Sequence, residues 1–466
     1  MSGLIKKIYQ QLPYPLKFIL LNIKAYGNQK KRFNKDFKAY WNEHIHLWDA
    51  DLGTLALYNK ERLIVLLSEA FQYSHWYGTI MKEKGITLDS IQSNPMNVLQ
   101  SMPILEKSER KSNVEAIINT KRDVAMINHT SGTSGTPMID YLDLYSVNQC
   151  FAIWKRFHSV IGIEPNGKQV RLSGNLIVNP KASKPPFWVY NYFNKQLLMS
   201  TYHLTEKNLI YYINKLNLFK PALIDGYPSA VYILSRFIIN NKIALTFKPK
   251  AIAVTAETLY DYQREAIEKA FNCQVFNQYA SSEGSPFITE CVKGKLHLNT
   301  DSGVFEFFNM QGNVAKPGEI AKLVVTSFIN YKTPLIRYNI GDTVLLATEP
   351  ATCSCSCNMP IIEKIIGRED DIFWTEEKGY VGRLDTAYKG LTGIIKSQLI
   401  QERPNLIVIN LSADKDYSEK TQKQLIKNLK ERLGENINFN INIVDDIPIG
   451  ANGKIDAVKR TFKLDM

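Results

Sequence analysis

Short runs of Val, Ile, Leu and Ala alternate with longer stretches in which apolar residues recur every three or four positions. The pairs are Val124 to Ile127 then Leu144 to Val160, Ala222 to Asp225 then Pro228 to Asn241, and Ile252 to Thr255 then Leu259 to Phe271. Short continuous apolar runs suit strands buried on both faces, and stretches of period 3.6 suit the helices that cover them, so the pattern predicts an α/β architecture with a largely parallel sheet. From about Gly303 to Leu346 the pattern changes to strand candidates punctuated by turns, at Val304 to Phe308, Glu319 to Thr326 and Thr343 to Leu346. A strand-rich subdomain over 302–350 is therefore predicted. The C-terminal stretch holds two strand candidates, a charged helix from Ser418 to Leu433 and a strand from Ile437 to Val444, the content of a small α+β domain. The polar turn Gly367-Arg368-Glu369-Asp370 marks the boundary, which gives a large domain over 1–369 and a small one over 370–466.

A length of 466 residues with 45% hydrophobic content supports more than one core and excludes general disorder. Lys17 and Lys24 interrupt the N-terminal apolar segment, and no run approaches the roughly 18–20 uncharged residues of a spanning helix, so neither a membrane span nor a secretory signal is expected. The expected address is cytoplasmic, with reduced cysteines. The net charge is +12, and residues 1–40 carry nine Lys/Arg against the single acid Asp36. Within them, Leu12 to Ile23 reads as an amphipathic helix that could lie on an anionic membrane face. A nucleic-acid binder is a weaker reading, because no basic stripe interleaved with aromatics accompanies the charge.

Five polar stretches carry candidate chemistry. Thr130-Ser131-Gly132-Thr133-Ser134-Gly135-Thr136-Pro137 follows an apolar strand and precedes a helical pattern. Its glycines allow close backbone approach to phosphate oxygens, and its hydroxyls and amides can donate to them. A Walker loop requires Gly-Lys-Ser/Thr at its end, which Gly135-Thr136-Pro137 does not provide. Tyr279-Ala280-Ser281-Ser282-Glu283-Gly284 offers a ring to stack on a base and a carboxylate for Mg²⁺. Pro334 to Asp342 and Gly367 to Asp371 each set a guanidinium and a carboxylate beside a glycine, suited to phosphate and ribose, or to a structural ion pair. Pro448 to Asp456 presents Lys454 from a glycine turn.

In this order and spacing, the five stretches resemble the adenylate-forming acyl ligases, in the branch of phenylacetate-CoA ligases and CapK-like capsule-biosynthesis proteins, from about Tyr73 to the C-terminus. The resemblance implies that Thr130, Ser131, Gly132, Thr133, Ser134 and Gly135 hold the ATP phosphates. Ala256, Glu257 and Thr258 would contact adenine, with Tyr279 opposite them. Ser282 and the Mg²⁺-associated Glu283 would act at the phosphates, Asp342 would bind ribose with Arg368 as its partner, and Asp370 would be the hinge of a mobile small domain. Lys454 would bridge the substrate carboxylate and the α-phosphate. The implied reaction activates a carboxylic acid with MgATP and passes the acyl group to CoA, a carrier protein thiol, or a sugar hydroxyl or amine, in capsule or surface-polysaccharide synthesis. The alternative is a nucleotide-binding scaffold of a capsule assembly that keeps the fold without turnover.

Cys291, His297, Cys353 and Cys355 form a Cys₃His set consistent with structural zinc, a feature of the same branch, with Cys357 as substitute for either late cysteine. Two departures stand out. Thr136 occupies a position where many members have Lys, and Gly379-Tyr380-Val381-Gly382-Arg383 replaces the segment typical of the phenylacetate enzymes, which leaves the acceptor open. Phe187 to Phe193 and Asp225 to Ser229 could line the acid pocket or belong to the core.

Overall fold

The computed structural model describes residues 9, 11–129, 138–281, 283–349, 353–368, 372–381, 384–388, 391–448 and 457–462. The chain divides into two compact units, one of Met1–Ile23, Asn166–Val275 and Ile366–Met466, the other of Lys24–Pro165 and Phe276–Ile365.

In the first unit, the strands Ala251–Thr255, Leu223–Gly226, Gln169–Ser173 and Gln196–Ser200 run parallel in that spatial order, and Trp188–Asn191 pairs antiparallel with the last. Helices Glu206–Phe219, Pro228–Asn240 and Asp261–Phe271 supply the cover that apolar strands require. Val170, Leu172, Ile224, Ile252 and Val254 are buried in one cluster with Leu209, Ile213, Val231 and Ile267. Gly226 closes its strand where a Cβ would come within 2.7 Å of the Leu172 carbonyl oxygen. Pro228 then opens a helix at the position where its missing N–H is least costly.

The C-terminal part of this unit has its own core. Strands Asn438–Ile443, Leu406–Ala413, Ile394–Arg403 and Val458–Arg460 lie in that order, the central pair antiparallel and the outer pairs parallel. Helix Glu419–Leu433, capped by the Ser418 side chain on the Thr421 N–H, packs Leu425, Leu429 and Leu433 against Leu399, Ile407, Ile409 and Leu411.

The second unit packs a helical array from Phe37 to Ile117 against the antiparallel strands Gly303–Phe308, Ile320–Ser327 and Tyr338–Leu345. Leu63, Leu66 and Leu67 share a core with Leu323, Val325 and Tyr338. Those strands fall where the turn-punctuated stretch predicts them. One expectation is corrected: the 130–137 loop does not lead directly into a helix, because strand Ile139–Leu142 intervenes and pairs antiparallel with Met126–His129. Its buried positions are Asp140 and Leu142, so the inward face carries a charge and the apolar alternation is lost.

No helix among the described residues is long and apolar enough to cross a membrane. The N-terminal helix runs Tyr14–Arg32, about two and a half turns beyond the predicted Ile23.

Candidate active site

Asp342 lies in a bulge. Lys322 pairs with Thr343 and Val324 with Asn339, so Leu323 alone faces Ile340, Gly341 and Asp342. Gly341, at φ +75°, accommodates the irregular backbone. The Tyr279 hydroxyl donates to Asp342 Oδ2 at 2.6 Å, joining residues far apart in the chain. Burial holds the Tyr279 phenol well above its usual value, followed in weight by the neighbouring Asp342 charge, so the phenol stays protonated and donates.

Glu283 is buried beside Tyr338, whose hydroxyl reaches Oε1 at 3.4 Å, and Lys107 Nζ lies 3.9 Å from the same oxygen. Gly284 follows at φ +80°, where a Cβ would meet Asn330 Cβ at 3.0 Å, so the turn that carries Glu283 accepts little but glycine. The Arg110 guanidinium sits 5.3 Å from the centre of the Tyr338 ring and pairs with Asp140. Arg110 and Asp140 are fully buried. Burial pushes the Asp140 carboxyl up to about 6 in spite of the Arg110 charge. A carboxylate ringed by Lys107 and the Arg110–Asp140 pair can take a divalent cation while the Lys stands near its anionic ligands. Sequence reasoning passed over Lys107, Arg110 and Tyr338. Lys107–Ser112 reads as a solvated polar helix, and nothing local reveals that Arg110 turns inward.

Arg337 is taken up elsewhere. It donates to both Glu306 oxygens and to the carbonyls of Gln100 and Met102, which makes it the structural ion pair among the two roles open to its motif.

In the first unit, Ala256 adopts φ +69° directly after strand Ala251–Thr255. Glu257 accepts from the Ser229 N–H at 3.1 Å, and the Thr258 hydroxyl donates to the Ile366 carbonyl at 3.3 Å. The predicted turn is thus tied by side chains on both sides. Arg368 ends strand Lys364–Arg368 with its side chain exposed. Asp225 is buried with Arg171 Nη1 3.1 Å away. Burial raises its carboxyl, opposed by Arg171. The aromatic run divides: Phe187 stacks on His203 and Tyr212 in the core, whereas Tyr192 and Phe193 are exposed. Thr130, Ser131, Gly132, Thr133, Ser134, Gly135, Ser282, Asp370 and Lys454 lie outside the described residues.

Cys291, His297, Cys353 and Cys355 converge in the second unit with their ligand atoms within 4.8 Å of one another. Cys291 and Cys353 sulfurs are 3.6 Å apart, and Cys355 Sγ is 3.3 Å from His297 Nε2. A tetrahedral ion with Zn–S near 2.3 Å and Zn–N near 2.0 Å separates its ligand atoms by about 3.5–3.8 Å, so the spacing fits. His297 Nδ1 lies 2.9 Å from the Met359 carbonyl, which fixes the ring with Nε2 toward the thiols. Burial raises the Cys291 thiol, but hydrogen bonds from His297 and from the Lys295 and Lys293 backbone outweigh it and bring it down to about 6. A thiolate is the form a metal binds. Cys357 is buried in the same cluster beside Trp48 and Met359.

The CapK C-terminal domain model matches residues 373–461. Protein CapK of Staphylococcus aureus is 36% identical over 456 residues, covering 97% of this chain and 98% of that one. An indoleacetate–lysine synthetase of Pseudomonas savastanoi is 24% identical over 53% of this chain and 60% of its own. Among solved structures, a 2-hydroxyisobutyryl-CoA ligase in the postadenylation state in complex with R3-HIB-AMP superposes with TM-score 0.67 at 15% identity, covering 87% of this chain and 89% of that one.

Proposed function

Because the chain belongs to the CapK family and has the fold of the adenylate-forming acyl ligases, we propose that it activates a carboxylic acid with MgATP to an acyl-adenylate and pyrophosphate, then hands the acyl group to an acceptor. The observation that carries this reading is the bulged Asp342 held by Tyr279, two positions expected separately to bind one nucleoside. Bringing a carboxylate to a phosphate requires neutralising two anions, and no general base is needed because the nucleophile is already ionised. In this reading Thr130 to Gly135 cradle the phosphates, Ser282 and Glu283 serve the Mg²⁺ side, Ala256 to Thr258 contact adenine, and Asp342 and Arg368 hold the ribose. The small domain, 370–466, turns about Asp370 and carries Lys454 to the reacting atoms. The acceptors consistent with this reading are CoA, a carrier thiol, and a sugar hydroxyl or amine; the likeness to a lysine synthetase favours the amine. The family name favours a capsular or surface-polysaccharide setting, with ATP drawn from the cytoplasm.

Acid-dependent release of pyrophosphate, measured across a library of acids, tests the reading. We expect turnover with at least one acid and a loss of about 10²–10³-fold in Lys454→Ala, the scale of removing one transition-state charge partner. ATP binding without release for any acid would favour the non-catalytic scaffold instead. We also propose that the Cys₃His cluster holds structural zinc. Metal analysis of the purified protein should find stoichiometric zinc, reduced to background in Cys291→Ser.

A further inference from the structure

The N-terminal helix has apolar residues on two faces. Phe18 and Leu21 pack onto the Ile177, Val178 and Val189 cluster, and Lys17 and Asn22 are buried as well. Leu16, Ile19, Leu20 and Ile23, spaced i, i+3, i+4 and i+7, are exposed, Ile23 at 63%. A helix held to its body through one face normally presents polar residues on the other. Here the outward stripe is aliphatic.

A second element adds to the same surface. The Asn22 side chain donates to the Tyr190 carbonyl and accepts from the Tyr192 N–H at 2.8 Å, fastening the helix to the hairpin between strands Trp188–Asn191 and Gln196–Ser200. The tip of that hairpin exposes Tyr192, at 67%, and Phe193, followed by exposed Lys195. Continuing along the helix, the outward face passes through exposed Tyr26 to exposed Lys30, whose ammonium lies 4.6 Å from the centre of the Tyr26 ring, whereas the Lys31 ammonium donates to the Ala125 carbonyl at 2.8 Å. The sequence carries no acid before Asp36.

We propose that this surface docks the protein on an anionic lipid bilayer, with the aliphatic stripe and the Tyr192–Phe193 tip entering the headgroup region and the lysines meeting lipid phosphates. Aliphatic side chains in line, aromatics at the boundary and one sign of charge are the chemistry of an in-plane amphipathic helix. Charge complementarity selects the partner, since apolar contact alone would not need a segment free of acids. Lys17, which the sequence places on the polar side of such a helix, is instead turned into the protein.

The test is co-sedimentation of the full chain with phosphatidylcholine vesicles that either contain or lack phosphatidylglycerol. Binding is expected only with phosphatidylglycerol, weakening as salt rises. Leu20→Glu with Ile23→Glu should lower the partition coefficient by more than about tenfold, given the apolar burial lost and the charge added. Tyr192→Ser, on a separate element, should lower it by about two- to fivefold with the melting temperature unchanged. Absence of wild-type binding to the anionic vesicles overturns the proposal. So does binding that neither variant reduces, or a wild-type dimer that the variants convert to monomer, which would assign the stripe to a second copy of the chain.

Discussion

The second unit buries charge, whereas the described residues of the C-terminal body bury almost none. Arg110 with Asp140, and Asp301 with Arg156 and His44, lie beneath the surface of the second unit. The body from Phe373 to Ile437 packs Leu384, Leu399, Ile407, Ile409, Leu411, Leu425, Leu429 and Leu433. Buried ion pairs contribute little net stability but are costly to break, while aliphatic cores stabilise in proportion to the area covered. The contrast teaches how differently the two regions are held together. One accepts desolvated charge that fixes carboxylates and rings in place, and the other is packed from aliphatic side chains.

Four single substitutions and one double replacement sharpen or break that contrast. The largest effect is expected from Arg110→Ala, which strands Asp140 in an apolar site and should destabilise by about 3–5 kcal/mol in denaturant unfolding. Replacing both partners by Met and Leu should recover most of that loss, because the desolvated charges leave together. If the double variant is no better than the single, the pair is not the source. Leu429→Ala should cost about 2–4 kcal/mol through cavity formation, with the change read as local unfolding of the C-terminal body by hydrogen exchange.

Next comes acid sensitivity. Burial would raise the Asp301 carboxyl, but Arg156 and His44 outweigh it and hold it at about 2, below its ordinary 3.8. A depressed carboxylate contributes stability above its unfolded value, and that contribution is lost as pH falls from about 4 toward 2. The difference corresponds to about 2 kcal/mol. Asp301→Asn should therefore flatten the acid limb of the stability curve, and a limb unchanged in this variant would contradict the assignment. The smallest effect is expected from Tyr279→Phe, which removes the hydroxyl on Asp342 at a net cost of about 1 kcal/mol, seen as a several-fold rise in the KM for ATP with unfolding little changed.

The regular parts of the fold were legible because each was signalled locally. Ile252 to Thr255 reads as a buried strand, and the structure gives Ala251–Thr255. Ser418 before a periodic charged stretch reads as a helix start, and it caps Glu419–Leu433. The metal-type cluster was legible through residue type and spacing. Strand Ile139–Leu142 was not, because a buried Asp140 breaks the apolar alternation, and its partner Arg110 is 30 residues away in a polar segment. The same holds for His44, which meets Asp301 across 257 residues. Charges that become core do so only through tertiary contacts, and periodicity carries no record of those. The bulge at Asp342 lay between these cases: the stretch from Pro334 to Asp342 stood out by its residue types, but only the register shows that one residue faces three.

The Cys₃His cluster has a consequence for how the chain is made. Cys291 and Cys353 are 62 residues apart, and the segment between them contains the strand that bears Asp342. On the ribosome, the early pair Cys291 and His297 must wait for Cys353 and Cys355 to emerge before a metal can close the loop. If the cluster holds the zinc proposed above, a cell short of that metal would release chains in which the segment bearing Asp342 is unstapled, and the supply of the ion would set the yield of mature protein before any substrate is met.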